Sequence, residues 1–153
     1  MRRAITLTLA LFAVGVAVSF AADVNIGTWK LNETKSKIGA GAPKNTTVVY
    51  EAAGDDVKVT TEGTDSSGNA THSEWTGKYD GKFYPVTGDP NVDSRSVKKV
   101  NDHTLSTSNK KGDKVVSTGQ IVVAPDGKSR TLTMSGTNAE GKKYSSTAVY
   151  DKQ

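Results

Sequence analysis

From Ala22 onward the chain alternates in twos. Trp75, Gly77 and Tyr79 interleave with Glu74, Thr76, Lys78 and Asp80, and Val115, Ser117, Gly119, Ile121 and Val123 with Val116, Thr118, Gln120 and Val122. Leu132, Met134 and Gly136 alternate with Thr131, Thr133 and Ser135; Tyr144, Ser146, Ala148 and Tyr150 alternate with Ser145, Thr147 and Val149. A period of two marks strands with one inward and one outward face. No window carries a helical stripe, and the best place for one or two helical turns is 33–38, ahead of the loose segment 39–43. Turn clusters fall at Gly54-Asp55, Ser66–Asn69, Asp80-Gly81, Asn101-Asp102, Lys111–Asp113, Asp126-Gly127 and Glu140-Gly141. Glycine there supplies the positive φ of tight hairpins. The pattern predicts strands over 25–32, 46–52, 56–63, 70–79, 82–86, 94–100, 103–109, 114–124, 129–137 and 142–150. Long strands joined by short turns imply an all-β, up-and-down antiparallel meander of about 8–10 strands curling into a barrel. The stretch from Pro85 to Pro90 breaks the rhythm and is expected to protrude as a loop.

Composition divides the 153 residues in two. Arg2-Arg3, the apolar run from Ala4 to Val18 and Ser19-Phe20-Ala21 have the layout of a secretory signal peptide cut after Ala21. The apolar run is shorter than the ~20 residues a spanning helix needs. The expected organisation is a cleaved leader at 1–21 and one barrel domain at 22–153, with no stable membrane insertion afterwards. Of the 132 residues after position 21, 38 are hydrophobic, about 29%, and 18 basic side chains face 16 acidic ones. That apolar share is too low for a helical bundle and low enough to raise disorder as an alternative. A meander resolves this, because only alternate residues face inward and threonine suits the outer face. An exported chain without cysteine, unlike many small secreted domains of multicellular hosts, points to a bacterial periplasm or exterior. The sequons at Asn32, Asn45 and Asn69 are read as incidental.

The first strand reads Gly27-Thr28-Trp29-Lys30-Leu31. It resembles the Gly-x-Trp opening of lipocalins and the Gly-Thr-Trp-Lys-Leu opening of fatty-acid-binding proteins, together the calycin superfamily. Ala148-Val149-Tyr150-Asp151-Lys152 is similar to the end of a fatty-acid-binding protein. Gly27-Thr28-Trp29-Lys30-Leu31-Asn32 with Lys35-Ser36-Lys37, and Tyr84–Gly88, look closer still to uncharacterised exported bacterial proteins of lipocalin-like type. The resemblance implies a barrel in which Gly27 and Trp29 form a structural plug at one end. It departs from the fatty-acid binders in two places. Ala148 stands where their arginine of Arg-x-Tyr would hold a carboxylate, and only about 13 residues separate the first two strands, too few for most of a helical lid.

Catalytic and metal chemistry find little to work with. Asp89-Pro90-Asn91-Val92-Asp93 opens like a calcium loop, but Ser94 replaces the glycine and Val100 the bidentate acid, so a stiff polar turn is the better reading. His72-Ser73-Glu74 lacks the cysteine pair of a deaminase zinc site; its histidine and glutamate share the face opposite Trp75. His103 sits at a turn beside Asp102, and no Gly-x-Ser-x-Gly elbow exists. Paired carboxylates on neighbouring strands stay open as a glycosidase alternative. No metal, cofactor or catalytic residue is assigned, and the chain is expected not to be an enzyme. The pairs Lys98-Lys99, Lys110-Lys111 and Lys142-Lys143 are read as a solvated face guarding strand edges, not a nucleic-acid site.

The interior remains as the candidate site. Trp75, Tyr79, Phe83, Tyr84, Tyr144 and Tyr150 are candidate lining aromatics and Arg95 a polar anchor for a small hydrophobic or amphipathic ligand bound by a monomer. Gly77, Gly119, Gly136, Ser117 and Ser146 on inward faces leave room for it. One alternative stays open. In it the aromatics only fill a small barrel, leaving an envelope interaction module that uses its outer sheet or the 85–93 loop.

Overall fold

The structure, a computed structural model, describes residues 22–153. The expected leader and the residues before its cut lie outside the described residues. Ten strands follow in chain order: β1 Gly27–Leu31, β2 Lys44–Ala53, β3 Asp56–Thr64, β4 Ala70–Gly77, β5 Asp80–Thr87, β6 Ser94–Asn101, β7 Thr104–Lys111, β8 Lys114–Val123, β9 Ser129–Thr137 and β10 Lys143–Lys152. Each pairs antiparallel with the next, and β1 also pairs with β10, through Trp29↔Lys152, Lys30↔Asp151 and Leu31↔Tyr150. The sheet is a closed barrel, and closure leaves no strand edge. One 3-10 turn, Glu33–Lys35, is the sole helical element among the described residues. Asn32 caps it, its Oδ1 accepting from Lys35 N at 3.2 Å, so little of a lid crosses between β1 and β2.

The alternation carries through to burial. Along β4, Ser73, Trp75 and Gly77 are buried while His72 and Thr76 are exposed. The register sets Trp75 between Val59 of β3 and Val86 of β5. Trp29, Val48, Tyr50, Val59, Trp75, Val97, Leu105, Ile121, Val123, Ala148 and Tyr150 form one buried cluster. Trp29 is fully buried and donates from Nε1 to Asn25 O at 2.8 Å, satisfying its one polar atom.

Three expectations are corrected. The fifth strand runs from Asp80 to Thr87, longer than the span 82–86, and Asp80-Gly81 is a bulge inside it, not a turn. Gly81, at φ +79, permits the kink, and the chain reverses just before it, at Lys78-Tyr79. Pro85 belongs to this strand. Val86 N points to Asp93 O at 2.9 Å, so the missing N–H of Pro85 faces β4, where the ladder holds only Trp75↔Val86 and Glu74↔Thr87.

The connection after Thr87 does not protrude. Asp93 N donates to Lys110 O at 2.8 Å, and the Asp93 carboxylate accepts from Gly112 N at 2.7 Å and Lys111 Nζ at 3.0 Å. Val92 is buried, so the segment folds back against the barrel mouth. Gly88 starts this return with φ +83 and lies so close to the His72 carbonyl that a Cβ would sit 2.2 Å from its oxygen.

In β8, finally, a bulge opposite Asn109 and Lys110 shifts the alternation by one residue. Val115 is therefore outside, 47% exposed, whereas Val116 turns towards the interior.

Candidate functional site

Inside the barrel, side-chain volume falls towards the end bearing the 65–69, 88–93 and 138–142 turns. There a chamber of about 340 Å³ opens, bounded by Asn45, Thr61, Ser73, Asn109, Ser117 and Tyr144, with Arg95 in its wall. A smaller pocket of about 50 Å³ continues inward, and Asn45, Thr61, Arg95 and Met134 line both. Its deeper walls are Tyr50, Trp75, Thr107, Ile121, Arg130 and Tyr150. The larger volume lies at the lower end of the range typical of small-molecule sites.

Of the sequence-derived candidates, Trp75, Arg95, Tyr144 and Tyr150 meet at these two spaces. Trp75 Nε1 donates to Arg95 O at 3.0 Å, fixing the indole across the strand gap. Burial pushes the Tyr144 hydroxyl above its ordinary pKa. It pushes that of Tyr150 up to about 12, and this hydroxyl donates to Asn45 O at 3.0 Å. Both phenols therefore remain neutral donors at any physiological pH.

Tyr79 and Tyr84 stand apart from both spaces. Tyr79 is tied to Asp23 through its hydroxyl at 2.8 Å, with its pKa raised first by burial and then by Tyr50 and Asp23. Tyr84 packs edge-on against Trp75, centroids 6.1 Å apart, and donates to Asp80 Oδ2 at 2.6 Å. Phe83 points outward beneath Lys110 Nζ, 4.0 Å from its ring centre.

The inward glycines do not make the chamber. The space over Gly77 is taken by the Trp75 and Tyr84 rings, that over Gly119 by Thr133 O, Leu132 and Met134, and that over Gly136 by Val116 O and Ser117. The room comes instead from short polar residues facing inward. Thr61, Ser73, Asn109 and Ser117 are all buried.

Two features were not singled out in the sequence. The first is a polar chain around Arg95: Nε donates to Asn109 Oδ1 at 2.7 Å, and Asn109 Nδ2 donates to Ser117 Oγ at 2.9 Å. Asn109 shares the phase of Leu105 and Thr107, so alternation on β7 would have found it. The second is Arg130, 3% exposed and in phase with Leu132 and Met134. Its guanidinium lies over Trp29, Tyr50 and Tyr150 at 4.7, 4.6 and 5.2 Å from the ring centres. Such cation–π contacts favour the buried charge. Yet Arg130 Nε and Nη1 are buried without a hydrogen-bond partner among the described residues, as is Thr107 Oγ1. Each orphaned group costs about 1–3 kcal/mol, more for charged ones.

Burial pushes the Arg95 guanidinium below its ordinary pKa, opposed by Tyr50 and by Asp89 acting at a distance. Among the described residues neither arginine pairs with a carboxylate; the ion pairs all involve lysine or histidine, such as Lys58 with Glu74 at 2.9 Å and His72 with Glu62 on the outer face. The carboxylates of the 89–93 segment are engaged locally, Asp89 Oδ1 on Asn91 N at 2.8 Å and Asp93 as described.

No family profile matches the chain, and no curated protein matches it. Among solved structures it is similar to EF1p2_mFAP2b bound to DFHBI, with TM-score 0.51 and 11% identity over 87% of this chain and 97% of that one. A redesigned beta barrel, mFAP1, also bound to DFHBI, superposes with TM-score 0.43 and 17% identity over 86% and 98%. At these identities the first likeness speaks for the barrel fold alone.

Proposed function

We propose that the protein is an exported, non-catalytic binding protein that takes a small hydrophobic or amphipathic molecule into its barrel. The observation that carries this is the 340 Å³ chamber, open at the mouth and walled by Arg95, Tyr144 and the buried hydroxyl and amide side chains. A barrel whose role was only structural would gain from larger apolar residues there, since buried polar groups are tolerated only when partnered. The small molecule held by EF1p2_mFAP2b illustrates that a barrel of this shape has space for one. Export is an expectation from residues 1–21, and the chain then belongs among exported bacterial barrels of lipocalin-like type, acting as a monomer.

A second reading, an envelope module without ligand, draws on the filled lower barrel, where Trp29, Trp75, Leu105 and Tyr150 leave almost no exposed surface. Titration with the uncharged dye N-phenyl-1-naphthylamine separates the two, read by dye emission and by quenching of Trp75. Trp29, sealed in the plug, is the background emitter and is removed in a Trp29→Phe control. Saturable one-to-one binding supports the chamber; no binding by the dye, with no small molecule retained in native mass spectrometry, removes the binding reading.

A further inference from the structure

The inner pocket is built unlike a hydrophobic floor. Two of the residues that line it carry polar atoms without partners among the described residues: Arg130, at Nε and Nη1, and Thr107, at Oγ1. They come from β9 and β7, so no local turn explains them. Arg95 reaches the same pocket from β6 and also lines the chamber above. Its one side-chain hydrogen bond within the described residues engages Nε, on Asn109. Two arginines line about 50 Å³, neither paired with a carboxylate among the described residues, and such a concentration of positive charge lowers its energy by receiving an anion.

Size and wall chemistry restrict what the anion is attached to. The inner space holds a carboxylate and little more. The chamber above is walled by Val92, Val116, Met134 and Tyr144 and also by Asn45, Thr61, Ser73, Asn109 and Ser117, whose hydrogen-bonding groups an alkyl chain alone would strip of water. We propose that the inner pocket seats the carboxylate of a compact, hydroxyl-bearing organic acid, held by Arg95, Arg130 and Thr107, with its hydroxyl groups in the polar chamber. This inference rests on the binding reading above and narrows it away from long-chain acids. The hydroxyl of Thr107 donates to the carboxylate, while both arginines supply charge-assisted bonds.

Calorimetry tests it with 3,4-dihydroxybenzoate, its uncharged counterpart 3,4-dihydroxybenzyl alcohol, and dodecanoate, alongside competition against N-phenyl-1-naphthylamine. The acid is expected to bind and displace the dye, and the alcohol to bind about tenfold or more weakly, the factor of one charge-assisted bond. Dodecanoate is expected to bind more weakly than the hydroxy acid. Arg95→Met should cut acid affinity at least about tenfold, and by more than it changes affinity for the uncharged alcohol. Thr107→Val, which keeps shape and removes an unpartnered hydroxyl, should weaken the acid several-fold without lowering the melting temperature.

Equal affinity for acid and alcohol would overturn the anion seat, and stronger binding of dodecanoate would overturn the hydroxylated class. Dye binding with no response to any acid sinks this inference alone. Silence from the dye as well sinks the binding reading beneath it. Arg130→Met is avoided as the deciding variant because its three aromatic contacts also support the fold.

Discussion

Gly77 is where the packing of the barrel makes its sharpest demand. A Cβ at this position would lie 2.6 Å from Trp75 Cζ2 and 2.7 Å from Tyr84 Cδ2 and Cγ. Trp75 cannot retreat, being 1% exposed and anchored to Arg95 O. Tyr84 can, because its hydroxyl end is at the surface on Asp80. Gly77→Ala therefore forces Tyr84 outward and breaks its edge-on contact with Trp75. Overpacking of this kind costs about 1–3 kcal/mol. Alanine regains about 0.5–1 kcal/mol of the backbone entropy that glycine loses in a strand. The net destabilisation is about 0–2.5 kcal/mol, a fall in melting temperature of up to roughly 10 °C for a domain of this size. A thermal melt followed by circular dichroism reads it.

The decisive form of the experiment is a double-mutant cycle with Tyr84→Ala. In the native background Tyr84→Ala loses buried ring area and the aromatic pair, the latter worth about 0.5–1.5 kcal/mol. In the Gly77→Ala background the ring is already displaced, so its removal should cost less, by about 1 kcal/mol or more. Independent sites add to within about 0.3–0.5 kcal/mol. Additivity within that limit would refute the claim that the two rings occupy the glycine's space. Dye binding should survive in every corner of the cycle, since neither residue lines the chamber.

Three other outcomes follow from single contacts. Tyr150→Phe removes the bond to Asn45 O and should cost about 1 kcal/mol in a denaturant melt. Val116→Trp carries bulk into the chamber from the β8 bulge and should weaken dye binding more than it alters the melting temperature. The Asp93 carboxyl is held below its ordinary pKa first by the Gly112 N–H and then by Lys111. A depressed folded pKa contributes stability that is complete above the unfolded value of ~3.9 and is lost as pH falls through the folded value. Asp93→Asn should therefore lower the melting temperature at pH 7, with the difference from the parent shrinking as pH falls below the unfolded value; a constant offset through that fall would contradict the linkage.

The barrel was legible in the sequence because its information is periodic. Ten alternating runs punctuated by glycine turns define which face of each strand is buried, and a closed meander is the simplest arrangement that buries them all. What escaped was phase. The bulge in β8 exchanges the roles of Val115 and Val116, and the one at Gly81 extends β5 back to Asp80; both depend on pairing with a neighbour that a single strand's pattern does not contain. Arg130 escaped for a different reason. Its alternation with Leu132 was visible, but a charged residue on an inward phase reads as an exception until the rings of Trp29, Tyr50 and Tyr150 are seen around it.

The meagre apolar stock and the open chamber now have one cause. Ten strands enclose more interior than 38 hydrophobic residues, many of them on loops or outer faces, are able to fill. The large ones are gathered in the lower barrel, where Trp29, Trp75, Tyr150 and Leu105 close the core almost completely. The upper barrel is lined largely by threonine, serine and asparagine, with Val92, Val116, Met134 and Tyr144 among them. Had those positions carried leucine, the domain would gain stability and lose the chamber. Buried hydroxyl and amide groups above two arginines that pair with no carboxylate among the described residues sacrifice stability to polarity at one place in the fold, and a ligand seated there would supply the missing partners.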